Sequence, residues 1–178
     1  MILRLNPNTT TLTAMALCLS TFAGAAGAAG THSGGHGEES SMPGMPGEPA
    51  KADRTIEIIM TDNDYSLSEI IVEEGETIRF IIRNEGDFLH EFNIGTPQMH
   101  MMHQKEMIEM MEKGMMDGMH MMGEKDHDDP NSLLLESGDS GELTWTFGDP
   151  MKIEFACNVP GHYEDGMVGP LTVTPHGH

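Results

Sequence analysis

The stretch CNVPGHYEDGM carries Cys157, His162 and Met167 at a C-x4-H-x4-M spacing, so a thiol, an imidazole and a thioether share one short segment. Pro160-Gly161 is turn chemistry immediately before the histidine, and Gly166 leaves room immediately before the methionine. Taken singly, each residue has a plainer use: a buried cysteine or methionine packs well, and a loop histidine needs no ligand. Together they suit a metal–thiolate bond. A thiolate with two imidazoles and a weak, distant thioether is the donor set of a type 1 copper site. Soft sulfur favours Cu(I) and imidazole tolerates Cu(II), so one site serves both oxidation states. A structural zinc site instead takes four strong ligands, with more Cys or His and no Met. The motif supplies one imidazole, and the second must come from elsewhere in the chain.

The second cysteine of the chain, Cys18, lies in an N-terminal apolar run from Leu12 to Ala23. Residues 1–28 read as a cleavable signal peptide: Arg4 precedes the run, the run is too short to span a bilayer, and AGAAGAAG offers A-x-A cleavage sites. Leu17 before Cys18 does not suit lipoprotein processing, so Cys18 leaves with the signal. The expectation is a periplasmic protein with no membrane span, in which Cys157 has no partner for an intramolecular disulfide. A lone thiol in an oxidising compartment needs an occupant, and a metal is one. The formal charge of −20 excludes nucleic acid and anionic lipid as partners. It leaves copper ions and a periplasmic redox or copper-handling protein.

Residues 29–53 are rich in Gly, Ser, Pro, His and Glu and read as a flexible linker that carries His32, His36, Met42 and Met45. From Thr55 the hydrophobic period becomes two. Ile56, Ile58 and Met60 share a face, as do Ile78, Phe80 and Ile82; Phe88, His90, Phe92 and Ile94; Leu143, Trp145 and Phe147; Ile153, Phe155 and Cys157; and Leu171 and Val173. Short alternating strands between turns such as EEGE and NEGD predict an antiparallel β-sandwich over residues 54–175, with a tail at 176–178. Strand parity places His90 and Cys157 on apolar faces, which makes His90 the candidate second imidazole.

Residues 97–131 interrupt the pattern with an insertion that reads as helical or flexible. Eleven methionines fall between Met99 and Met122, many at three- or four-residue steps, while Gly114, Gly118 and Gly123 weaken a helix. Thioethers bind Cu(I) well. Met99, Met102, Met107, Met110, Met111, Met115, Met119 and Met122, with His100, His103 and His120, form a candidate auxiliary Cu(I) set; His127 lies nearby. A methionine stripe that packs on the sandwich is the competing account.

NEGDFLHEFNIG followed by FACNVPGHYEDGMVGPLTV resembles the cupredoxin family, of the plastocyanin and azurin kind. The likeness covers about 54–96 and 132–174 and is greatest to periplasmic copper-tolerance cupredoxins of the CopI type. The resemblance implies an all-β Greek-key sandwich and type 1 copper ligands at His90, Cys157, His162 and Met167. Plastocyanins and azurins usually carry Asn after the first histidine ligand, where it ties the two ligand loops together; here Glu91 takes that place.

The expected function is copper tolerance, by sequestration, transfer or oxidation of Cu(I). The alternatives are a soluble electron carrier or a copper chaperone for an oxidase. The catalytic centres of multicopper oxidases and nitrite reductases need further clustered histidines, and a binuclear thiolate-bridged centre needs two cysteines. One domain of this size lacks the further sites, and only Cys157 remains once the signal leaves, so a stand-alone enzyme is not expected.

Overall fold

A computed structural model describes residues 42–122 and 129–177. The expected signal peptide with Cys18, the histidines at 32, 36, 127 and 178, and Gly123 lie outside the described residues.

Among the described residues, ten strands form two five-stranded sheets. The first runs in the order β1 (Gly44–Pro46), β8 (Ser140–Phe147), β5 (Thr77–Asn84), β2 (Arg54–Thr61), β3 (Asp64–Tyr65). The second runs β4 (Ile70–Glu73), β10 (Val168–Thr174), β9 (Met151–Ala156), β6 (His90–Gly95), β7 (Ser132–Leu135). The alternation produces the core directly: Ile58, Ile78, Phe80, Ile82, Trp145 and Phe147 from one sheet meet Phe92, Ile94, Ile153, Phe155 and Leu171 from the other. Burying each such side chain contributes about 1.5–3 kcal/mol. Tyr65 packs edge-on against Phe155 at 5.1 Å and hydrogen-bonds the Glu91 carbonyl at 2.6 Å, which ties the small β3 to the opposite sheet.

The sheets are mixed rather than wholly antiparallel. β2 pairs with β5 and β4 with β10 in parallel register. A period of two reports which face is buried but not which way the neighbour runs, and the chain switches sheets between these strands. Two boundaries also differ from the sequence reading. Phe88 lies before β6, which starts at His90, and is exposed. Residues 44–46, inside the expected linker, form β1 against β8, with Gly47 N–H donating to the Thr144 carbonyl. Three residues held by backbone bonds leave no hydrophobic period to detect. At Gly44, φ is +150° and an added Cβ would collide with the Thr146 carbonyl, so the close strand approach requires glycine there.

The insertion begins as a helix, α1 (Pro97–Glu112). Thr96 caps it by accepting from Met99 N–H at 3.2 Å, and Pro97 starts it where its missing N–H costs nothing. Gly114, with φ +69°, ends it. His100, His103, Met107 and Met110 fall on one face and are buried. All six residues of β6 are buried, whereas the other long strands alternate. A strand reads HPHP only if one face meets water, and here His100 and His103 of α1 meet residues at the outer side of this sheet.

Candidate metal centre

The register that pairs Asn93 of β6 with Ala156 of β9 runs the start of β6 alongside the residues following β9. His90 and Cys157 are thereby neighbours although far apart in sequence. On the other side of β9, Val168 pairs with Ala156, and Cys157 N–H donates to the Met167 carbonyl at 3.0 Å. The loop between them closes through turns. His162 N–H bonds the Val159 carbonyl, Met167 N–H bonds the His162 carbonyl, and Gly161 and Gly166 adopt φ of +94° and +102°. A side chain at either glycine would be strained.

One donor atom each from His90, Cys157 and His162 lies within 4.8 Å of the others. Cys157 Sγ is 3.4 Å from His162 Nδ1, and the two imidazole centroids are 4.9 Å apart. His90, Cys157 and Met167 are fully buried; His162 is half-buried. His90 Nε2 faces Asp62 Oδ1 at 3.2 Å, and that oxygen also accepts from Asp87 and Phe88 N–H. Its other nitrogen, Nδ1, is buried without a hydrogen-bond partner. A buried polar atom without a partner costs about 1–3 kcal/mol, and a metal ligand bond is one way to satisfy it. Burial holds His90 below the ordinary imidazole range, against the pull of Asp62; burial and then the neighbouring His90 do the same to His162. Burial pushes the Cys157 thiol up to about 12, with the Glu91 charge adding to the effect. Imidazoles kept neutral by burial offer free lone pairs, and a soft cation bound beside them would displace the proton that the thiol otherwise holds. The residues present therefore fit copper.

Glu91 does more than fill the position after His90. Its N–H donates to Cys157 Sγ at 3.3 Å, and its buried carboxylate accepts from four donors. These are Asn158 N–H (3.2 Å) and Nδ2 (2.8 Å), His103 Nε2 (2.9 Å) and the Ser132 hydroxyl. Burial alone would raise its pKa, but these bonds and the His103 charge hold it below the usual carboxylate value. Burial opposes charge on His103, but Glu91 outweighs it and lifts the imidazole to about 9. Sequence reasoning noted the substitution at Glu91 but singled out neither Asp62 nor Asn158. The polar pair Asp62-Asn63 between β2 and β3 is a turn signal with no mark of what it faces.

The structure divides the candidate auxiliary set. His100, His103, Met107 and Met110 face inward, the two methionines within the core and the two histidines in hydrogen bonds to protein. Met102, Met111, Met115, Met119, Met122 and His120 are exposed. Met99, Met102, His103, Glu106 and Asp129 line an open groove of about 430 Å³ together with Met42 from the segment before β1.

A family model described as a cupredoxin-like domain matches residues 14–124. The chain belongs to this family. It is 48% identical over 143 residues to the copper-resistant cuproprotein CopI of Pseudomonas aeruginosa, covering 71% of this chain and 79% of that one. The CopI of Rubrivivax gelatinosus is 38% identical over 125 residues, covering 70% and 68%. Among solved structures, the reduced auracyanin of Roseiflexus castenholzii superposes with a TM-score of 0.54 at 26% identity, covering 70% of this chain and 99% of that one. Auracyanin B gives 0.57 at 21% identity, covering 75% and 96%, a likeness of fold.

Proposed function

We propose that this chain is a periplasmic copper protein of copper tolerance, exported by the signal peptide at 1–28. His90, Cys157 and His162 are the strong ligands of one type 1 copper, and Met167 is the weak fourth. The observation that carries this reading is the gathering of one donor atom each from His90, Cys157 and His162 within 4.8 Å of one another, with His90 Nδ1 buried and partnerless. The relatives named as copper-resistant cuproproteins support copper as the ion and tolerance as the purpose.

Copper, when bound, supplies one-electron chemistry. The chain's own residues do the rest. Asp62 holds His90 by Nε2, so that Nδ1 is the nitrogen presented. Glu91 N–H bonds the sulfur of Cys157 and so tempers its donor strength. The sandwich buries the thiol away from water and oxidants, while half-buried His162 brings the edge of the site toward the surface, where an electron or ion can be exchanged. The exposed methionines of 99–122 form an auxiliary Cu(I)-holding surface, to which the groove at Met42, Met99 and Met102 contributes three thioethers.

The test is copper loading of the mature protein. Wild type should show an intense visible thiolate-to-copper charge-transfer band that Cys157→Ser abolishes while the far-ultraviolet β signal remains. A Cys157→Ser protein that keeps the band would overturn the ligand assignment.

A further inference from the structure

The departure at Glu91 and the helical insertion meet in one place. From α1, His103 Nε2 reaches Glu91 Oε1 at 2.9 Å. One turn earlier on the same face, His100 Nδ1 lies 3.3 Å from Asn158 Nδ2, and its Nε2 lies 3.4 Å from the Glu154 carbonyl. Glu91 Oε2 accepts both Asn158 donors. Glu91 and Asn158 are the residues immediately after His90 and Cys157 in sequence, and both are buried. A short polar side chain could tie the two ligand loops by itself. A glutamate at this position instead carries a buried charge, which needs a counter-charge to be tolerated. His103 is that counter-charge: its two ring nitrogens face carboxylates, Glu91 on one side and Glu106, with Asp129 at 3.9 Å, on the other.

We propose that His103 is a positioning residue for the metal centre: through Glu91 it fixes the peptide that bonds Cys157 Sγ, so helix α1 braces the site. The insertion is thus part of the site's scaffold as well as a carrier of methionines. Removing the His103 contact leaves a buried carboxylate one strong partner short. Glu91 then turns toward its remaining donors or toward water, its backbone turns with it, and the N–H to Cys157 lengthens. This inference concerns the chain's own geometry and does not depend on which ion the site holds.

The experiment compares His103→Gln, which keeps a donor able to reach Glu91, with His103→Leu, which keeps bulk but has none. If the leucine variant does not fold, His103→Asn, polar but too short to span the gap, makes the same cut. Near-ultraviolet circular dichroism establishes the native fold of each. The first readout is the rate at which the metal-free Cys157 thiol reacts with a neutral aromatic disulfide at fixed pH. The second is the intensity ratio of the charge-transfer bands, and the reduction potential, of the copper-loaded protein. The leucine or asparagine variant should react faster than wild type, with an altered band ratio, and the glutamine variant should return both toward wild type. Wild-type thiol rate and band ratio in a folded leucine or asparagine variant would overturn the proposal. Equal displacement in the glutamine variant would overturn it too, since packing and not the hydrogen bond would then be responsible. A wild-type protein lacking the charge-transfer band would sink the copper reading but leave the thiol rates to judge the brace.

Discussion

Asp62 Oδ1 lies 3.2 Å from His90 Nε2, and the opposite nitrogen of the same ring is buried without a partner. One carboxylate thus occupies Nε2 and leaves Nδ1 as the ring nitrogen open to a ligand, in a residue whose donor atoms gather with those of Cys157 and His162. The carboxylate is itself steadied by two backbone N–H groups, of Asp87 and Phe88.

Asp62→Ala should therefore weaken metal binding without unfolding the sandwich, since Asp62 is partly exposed and outside the core. Outer-shell partners of ligating histidines act on affinity by about 10- to 100-fold. A loss near the lower end is expected, because Asp62 is not enclosed. Competition titration with a chelator of known affinity measures it. Unchanged affinity would mean that packing alone orients the ring.

The metal-free Cys157 thiol, pushed up to about 12 by burial, should be inert in alkaline buffer where an exposed cysteine reacts. Denaturant should release the Cys157 thiol to react. A folded, metal-free protein that reacts as quickly as free cysteine would show the sulfur to be accessible.

The candidate ligand loop was legible because its possible donors are close in sequence and its turn residues lie between them. His90 was legible as a candidate through its phase with Phe92 and Ile94, which lie in the core, although Phe88 of the same expected face is exposed. Asp62, Glu91 and Asn158 were not legible as a network, because their bonds join residues 28 to 67 positions apart and hydrogen-bonding side chains have no periodicity. The strand directions escaped for the same reason: parallel pairing of β2 with β5 is a property of the sheet, not of either strand. For α1, the three- and four-residue steps announced a helical face. That this face would pack on β6 was one of two readings, and the sandwich needed it because Glu91 and Asn93 make the outer face of β6 too polar to bury without partners.

The Glu91–His103 pair predicts a pH window. His103 is raised from 6.5 to about 9, so its contribution to stability is complete below about pH 6.5, declines above that, and is gone beyond about 9. Glu91 is lowered from 4.5, so its contribution is present above that value and is lost as pH falls through its folded-state pKa. Both act fully between about pH 4.5 and 6.5. Denaturant unfolding of metal-free wild type and His103→Gln should show the largest difference near pH 5.5, a smaller one near 7.5 and almost none near 9.5. A difference that stays constant or grows with pH would contradict the ion pair.

The methionine surface makes the last prediction, and the structure decides how to test it. Deleting α1 would remove His100 and His103 from Asn158 and Glu91 and strip Met107 and Met110 from the core, so lost copper binding would report damage to the sandwich. Replacing the exposed Met102, Met111, Met115, Met119 and Met122 by Leu preserves volume and apolar character and removes only sulfur. The five-fold variant should keep the charge-transfer band and the wild-type unfolding midpoint. It should bind fewer Cu(I) equivalents per chain, and cells relying on it should stop growing at a lower copper concentration than cells with the wild type. Growth on graded copper, with Cys157→Ser alongside, separates the two contributions: sensitivity only in Cys157→Ser assigns tolerance to the buried site, and sensitivity in both assigns it to the site and the sulfur surface together. Wild-type stoichiometry and tolerance in the leucine variant would mean that these methionines serve packing or partner contacts and hold no copper.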